Sequence, residues 1–199
     1  MKLTICPNLL KFCYKLGAIL NSETSIVKIS NTYYVKIIGV RNIGTENIPK
    51  LIHNLRELSS VVKVQCVHSH IVFGMNHLMR VIEITLELWK RGIRISRSLE
   101  TDLLMRLCCT DQISKAIGLG GLKKGQPGCF ILVSQDKNSI LEVDTLLRGY
   151  FTCTSMSVLR PGKEKMVQLG ARYGFRTNKM DRKFFENSLV ERATLVELV

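Results

Sequence analysis

Apolar residues recur with two different periods along this chain, and the points where one period gives way to the other delimit its elements. The sharpest change falls at Gly74. Before it, Val64, Cys66, Ile71 and Phe73 stand against Gln65 and Ser69, the pattern of a half-buried strand. After it, Leu78, Ile82, Leu86 and Trp89 share a helical face, and Val81, Ile84 and Leu88 form a second stripe beside it. Two stripes require two neighbours: a sheet for one, and either a second helix or a partner protein for the other. Gly92 is the predicted stop of this helix.

The same reading places a strand at Tyr33 to Val40, a helix from Glu46 to Leu58 over Ile48, Leu51, Ile52, Leu55 and Leu58, and a strand from Val61 to Val67. Ser98 is placed to cap a helix with Glu100 and Asp102 in its first turn and Leu99, Leu103, Leu104 and Leu107 buried. Thr110 is expected to cap a shorter helix from Asp111 to Ile117, with Ile113, Ala116 and Ile117 inward and Gly118 ending it. A fully buried strand follows at Cys129 to Ser134, then helices at Ser139 to Leu147, from Gly162 to about Ala171, and from Asp181 to Leu189. The expected class is α+β, a compact, mostly antiparallel sheet packed with helices. Residues 1–31 read as an N-terminal extension, with a short helix around Leu9 to Cys13 and a strand at Ser25 to Ser30. Residues 32–199 form the main domain.

With 46% apolar and 23% charged residues, 199 residues suffice for one substantial core. Charges such as Glu83, Glu87 and Lys90 interrupt even the most apolar helix, so no run reaches the roughly 18 residues of a membrane span. The N-terminus lacks a continuous signal-peptide core, and the expected location is the cytoplasm. Seven cysteines without a Cys-x-x-Cys pair argue against a secreted disulfide scaffold and against a zinc ribbon. Cys6 and Cys13 are either free or, in a hyperthermophile, a bridge.

Candidate chemistry is sparse. His68, His70 and His77 lie close in sequence, yet no carboxylate or thiolate follows in a pattern that would complete a zinc site, so no metal is expected. His77 reads as a group that caps or packs at its helix start. Gly118, Gly120, Gly121 and Gly125 have the density of a phosphate loop but lack the Gly-Lys-Ser/Thr continuation and precede a strand. Glu83 and Glu87, flanked by Arg80 and Lys90, read as a salt-bridged face. With no hydrolase, zincin or kinase signature, the chain reads as a binding or scaffold protein that needs no cofactor and is not an enzyme.

Five segments together resemble the kinase-binding subunit of the KEOPS complex, the TPRKB family of archaea and eukaryotes, and point to an archaeal member. They are Gly74, His77 and Leu78; Leu103 and Leu104; Gln112 and Ile113; Gly121, Leu122 and Lys123; and Glu191, Arg192 and Leu195. The resemblance implies a regulatory subunit without catalysis of its own. Such a subunit binds the complex's atypical protein kinase and recruits tRNA by its 3′ CCA tail for threonylcarbamoyladenosine modification, meeting the other subunits indirectly. Asp111 departs from the arginine that many members carry before the Gln-Ile pair.

The charge balance agrees with an acidic partner: 29 basic against 16 acidic residues leave a net +13. Lys90, Arg91, Arg94 and Arg97 occur with no intervening acid, and Lys123 and Lys124 flank the glycine cluster. The expectation is that these two groups converge on one face to bind RNA, with the glycines allowing close backbone approach. A second basic run from Arg160 to Lys183 contains only Glu164 and Asp181 as acids. For the kinase, the expected contacts are Leu88 of the second stripe with Met79 and Met105. The readings that compete with this one are a freestanding single-strand RNA-binding protein and an RNA-modifying enzyme with an unrecognised site.

Overall fold

The computed structural model describes residues 25–42, 47–150 and 154–198. The helix expected around Leu9 to Cys13 and the Cys6–Cys13 alternative lie outside the described residues. Strand β4 (Gly128–Ser134) carries the run Cys129 to Val133 and sits where such a run must, with strands on both edges and helices on both faces; all its residues are buried. Strand β2 (Tyr33–Val40) pairs with one edge and β3 (Lys63–His68) with the other, and β1 (Val27–Ile29) completes an antiparallel sheet in the order β1-β2-β4-β3. With seven α-helices among the described residues, the class is α+β, as the periodicity implied. The strand expected at Ser25 to Ser30, inside the stretch read as an extension, is β1. Ser30 and Asn31 take φ of 51° and 56° in the tight turn between β1 and β2, so the sheet already begins at Val27.

Strand alternation divides the core. Val35, Ile37, Val67, Cys129, Ile131 and Val133 face α2 (Met75–Lys90), α3 (Leu99–Leu107), α4 (Ile113–Gly120) and α7 (Arg182–Thr194). Ile38, Val40, Val64, Cys66, Phe130 and Leu132 face α1 (Ile48–Leu58) and α5 (Lys137–Tyr150). In that second layer the buried Lys36 Nζ meets Asp144 Oδ2 at 2.6 Å, and Asp144 also accepts from Arg148 Nε. Helix α6 (Lys163–Tyr173) packs with α7 around Phe73, Leu169, Tyr173 and Phe185.

Of α2's two stripes, Leu78, Val81, Ile82 and Leu86 are buried. Each such side chain contributes about 1.5–3 kcal/mol over exposure, which settles α2 as core rather than periphery. Thr110 does not cap α4. The helix starts two residues later with Gln112 as N-cap, and Thr110 Oγ1 instead accepts from Gln112 N at 3.3 Å. Nor does Gly118 end it: the ladder runs on to Gly120, and Gly121 N closes it on Ile117 O at 2.9 Å. Among the described residues no helix is long and apolar enough to cross a membrane.

Candidate nucleic-acid and partner interfaces

The cations at the C-terminal end of α2 stand on a backbone fixed at both sides. Gly92, at φ +79°, lets the chain fold back so that Gly92 N donates to Trp89 O (3.1 Å) and Ile93 N to Leu88 O (2.9 Å), a Schellman turn. Three residues on, Asp102 of α3 accepts Ile95 N through Oδ2 and Arg106 Nε through Oδ1, both at 2.7 Å. Arg106 is fully buried and reaches Ala193 O of α7 at 3.4 Å. The loop carrying Arg94 and Arg97 is thereby anchored to two helices. Arg94 lies over the Trp89 ring with its guanidinium carbon 4.3 Å from the centroid, while Arg91 is held by Glu87 at 2.6 Å. Lys90, Arg91, Arg94 and Arg97 are all exposed.

Lys123 and Lys124 are also exposed, but they do not join that group. They precede β4 at the sheet end where Gly128 pairs with His68 and Ser69 N donates to Pro127 O. Helix α2 starts at this same end, and its sixteen residues extend about 24 Å before reaching Lys90. The expected convergence of the two cation groups is therefore corrected: they occupy opposite ends of one helix. Of the four glycines, Gly120 and Gly121 serve packing, while Gly118 and Gly125 border open space, Gly125 at φ +79° in the turn before β4. A Cβ on Gly120 would come within 2.7 Å of Cys108 Sγ, and one on Gly121 within 2.4 Å of Ile117 O.

Of the two roles expected of His77, capping or packing at its helix start, the structure shows packing. It is buried, and its Nδ1 accepts from Phe73 N at 3.2 Å, which ties the residue before the N-cap Gly74 back onto the first turn; no side chain caps the helix itself. Burial pushes its pKa down to about 3, with the Arg80 and Lys165 charges adding to the effect. His68 Nδ1 accepts from His70 N at 3.0 Å, and the two rings meet edge to face. Among the described residues no three His, Cys, Asp or Glu side chains are grouped to hold a metal.

The expected partner contacts fare differently from one another. Met79 and Met105 are 4% and 1% exposed and belong to the core between sheet and helices, so they are corrected from docking residues to structural ones; Leu88 is half-buried at the surface. Ile113 and Ile117 are exposed, at 48% and 56%, where inward packing was expected; they are two of several exposed apolar side chains, among them Val61, Tyr150, Val167 and Phe184. Ala116 and Gly120 take the inner side of α4, and their small size lets it lie close on Leu104 and Cys108. That small pair at a spacing of four was the available signal that the isoleucines face out.

A groove of about 540 Å³ runs between the α3–α4 connection and α7, lined among others by Asp111, Lys115, Phe175, Glu191, Arg192 and Leu195. The Arg192 guanidinium lies over the Phe175 ring and donates to Tyr173 O. Cys109 also lines the groove, but burial pushes its thiol up to about 12, so it offers no thiolate at neutral pH. The site thus consists of an anchored cationic loop at one end of α2 and, elsewhere, an open groove lined by charged and apolar side chains together. No family model and no curated protein sequence matches this chain.

Proposed function

We propose that the protein is a non-catalytic adaptor of the kind the sequence resembles: the subunit of a KEOPS-type complex that holds the atypical kinase and recruits tRNA through its 3′ CCA tail. The observation that supports it most is the groove, where two segments far apart in sequence meet. Asp111, just before the Gln112-Ile113 pair, lines it with Glu191, Arg192 and Leu195, and α4, which begins two residues after Asp111, exposes Ile113 and Ile117. A groove that sets Phe175, Leu195 and Val196 among charges of both signs suits a protein partner, for which a standard interface buries roughly 800 Å² per side. The tRNA tail belongs at the other end, where Arg94 stacked on Trp89 offers a guanidinium plane for a base and Lys90 and Arg97 offer charge for its phosphates.

The test is co-purification with a small atypical kinase from the source organism. Ile113→Asp and Ile117→Asp should abolish it while shifting monomer stability by no more than about 0.5 kcal/mol, as exposed positions do. Met105→Asp, which buries a charge, should unfold the protein instead. Equal affinity for intact tRNA and tRNA lacking CCA would reject tail binding. RNA binding without any kinase would favour the freestanding RNA-binding protein, which the Trp89–Arg94 patch also fits.

A further inference from the structure

A second group of cations lies at the opposite end of α2, and its surroundings are of another kind. Where β3 leaves the sheet, the chain makes a 3-10 turn (Ser69–Ile71), and the segment from Lys123 to Pro127 is tied to it by the Ser69 N to Pro127 O bond of 3.1 Å. Helix α6 packs on the same turn. Its buried Leu169 has Lys165 one turn before it and Arg172 nearly one turn after it, so both share the inward-leaning face. Lys123, Lys165 and Arg172 thus lie on segments that meet at the turn after His68, and their charges act on the His68 ring, which also has His70 beside it.

The Lys165 ammonium is half-buried, and its hydrogen bond goes to a neutral backbone carbonyl, Val158 O at 3.2 Å. Among the described residues no carboxylate forms an ion pair with Lys123, Lys165 or Arg172. Leaving a partly desolvated cation without a counter-charge costs free energy, and an anion at this point would recover it. Because His68 Nδ1 accepts from His70 N, the neutral ring presents Nε2 as an N–H donor. Burial holds His68 down at about 4, and the charges of His70, Arg172, Lys165 and Lys123 push in the same direction. The group as a whole is rich in donors and carries positive charge on three side chains.

We infer that His68, Lys123, Lys165 and Arg172 form a binding site for a phosphate group, at the sheet end and separate from the cationic loop after α2. Phosphate suits it better than a carboxylate, since its additional oxygens can meet the imidazole N–H, the ammonium groups and the Arg172 fork at once. The phosphate arrives either as a free anion or as part of an RNA backbone.

Nuclear magnetic resonance of the histidine rings in the full chain tests the site, with inorganic phosphate and a short single-stranded RNA as separate ligands. Saturable movement of the His68 signals, with exposed His53 unmoved, is expected. The bound anion should also raise the His68 pKa. Lys165→Met keeps the apolar stem and should weaken phosphate binding at least about tenfold, as loss of a charged hydrogen bond does. Lys123→Gln and Arg172→Gln are at exposed positions and should each weaken it several-fold; they decide the matter if Lys165→Met does not fold. Competition by RNA assigns the phosphate to a nucleic-acid backbone, and response to inorganic phosphate alone assigns it to a small ligand; either upholds the site. Unmoved His68 signals with both ligands, or variants binding as tightly as the parent, overturn it. The kinase and tRNA-tail tests concern other residues, so failure here leaves the adaptor reading standing, and the reverse also holds.

Discussion

Helix α2 carries positive charge at both ends, yet the two ends treat it in opposite ways. At the C-terminal end the cations are in water, one is paired with Glu87, and a buried ion pair beneath them fixes the loop. At the N-terminal end His77 is buried neutral, His68 is held neutral, and Lys165 is half-buried against a carbonyl. The contrast teaches that net charge alone does not define a binding surface. An exposed array attracts polyanions broadly and yields to salt, whereas partly desolvated donors select for an anion of matching shape.

The largest effect should come from the support of the exposed end. Asp102→Ala leaves the buried Arg106 guanidinium without this carboxylate and releases Ile95 N, and breaking such a pair costs about 3–5 kcal/mol. Denaturant unfolding measures it. Asp102→Asn, which keeps an oxygen for Ile95 N, separates loss of the acceptor from loss of the charge. A change below about 1 kcal/mol in both variants would mean that the loop after α2 does not depend on this anchor.

The buried end should show itself through pH. His77 has a folded pKa of about 3 against an ordinary value near 6.5, so between these values the unfolded chain holds a proton that the folded one refuses. Stability therefore falls as pH drops through that window, by about 1.4 kcal/mol per pH unit from this residue. His68 acts in the same direction but is more exposed, and solvent screening reduces its share. His77→Gln can still accept from Phe73 N and should flatten the decline between pH 6 and pH 4, read from urea midpoints at fixed slope. An unchanged decline would place the acid sensitivity in other groups.

How much of this could be read from residues alone follows from the range of each interaction. Gly92 and Ser98 act within a turn of themselves, and each stands where its spacing placed it, as a C-terminal stop and an N-cap. The all-apolar run of β4 announced burial on both faces. The site was less accessible because it depends on which helix faces touch. Ile113 and Ile117 look like core until α4 is seen to rest on Ala116 and Gly120. The convergence expected of Lys123 with Arg94 failed because sequence spacing does not say which way a helix of sixteen residues points. Lys165 and Arg172 were visible only as members of a basic run, since their nearness to His68 arises from the packing of α6 on a turn almost a hundred residues earlier.

The smallest effect is also the one that divides the exposed array within itself. For single-stranded RNA, removing one cation from a phosphate should lower the slope of log affinity against log salt by roughly 0.7. Arg94 and Arg97 have no carboxylate within ion-pair distance among the described residues, so Arg94→Gln and Arg97→Gln should each show the full decrease. Arg94→Gln should cost additional, salt-independent affinity, because it also removes the guanidinium plane over Trp89. Arg91 differs: Glu87 already neutralises much of its charge, and Arg91→Gln should change the slope by less than either neighbour. Affinities measured across a salt series with one tRNA give all three numbers. If Arg91 proves equal to Arg94 and Arg97, the array acts as undirected charge, and the stacked guanidinium has no special part in holding the tail.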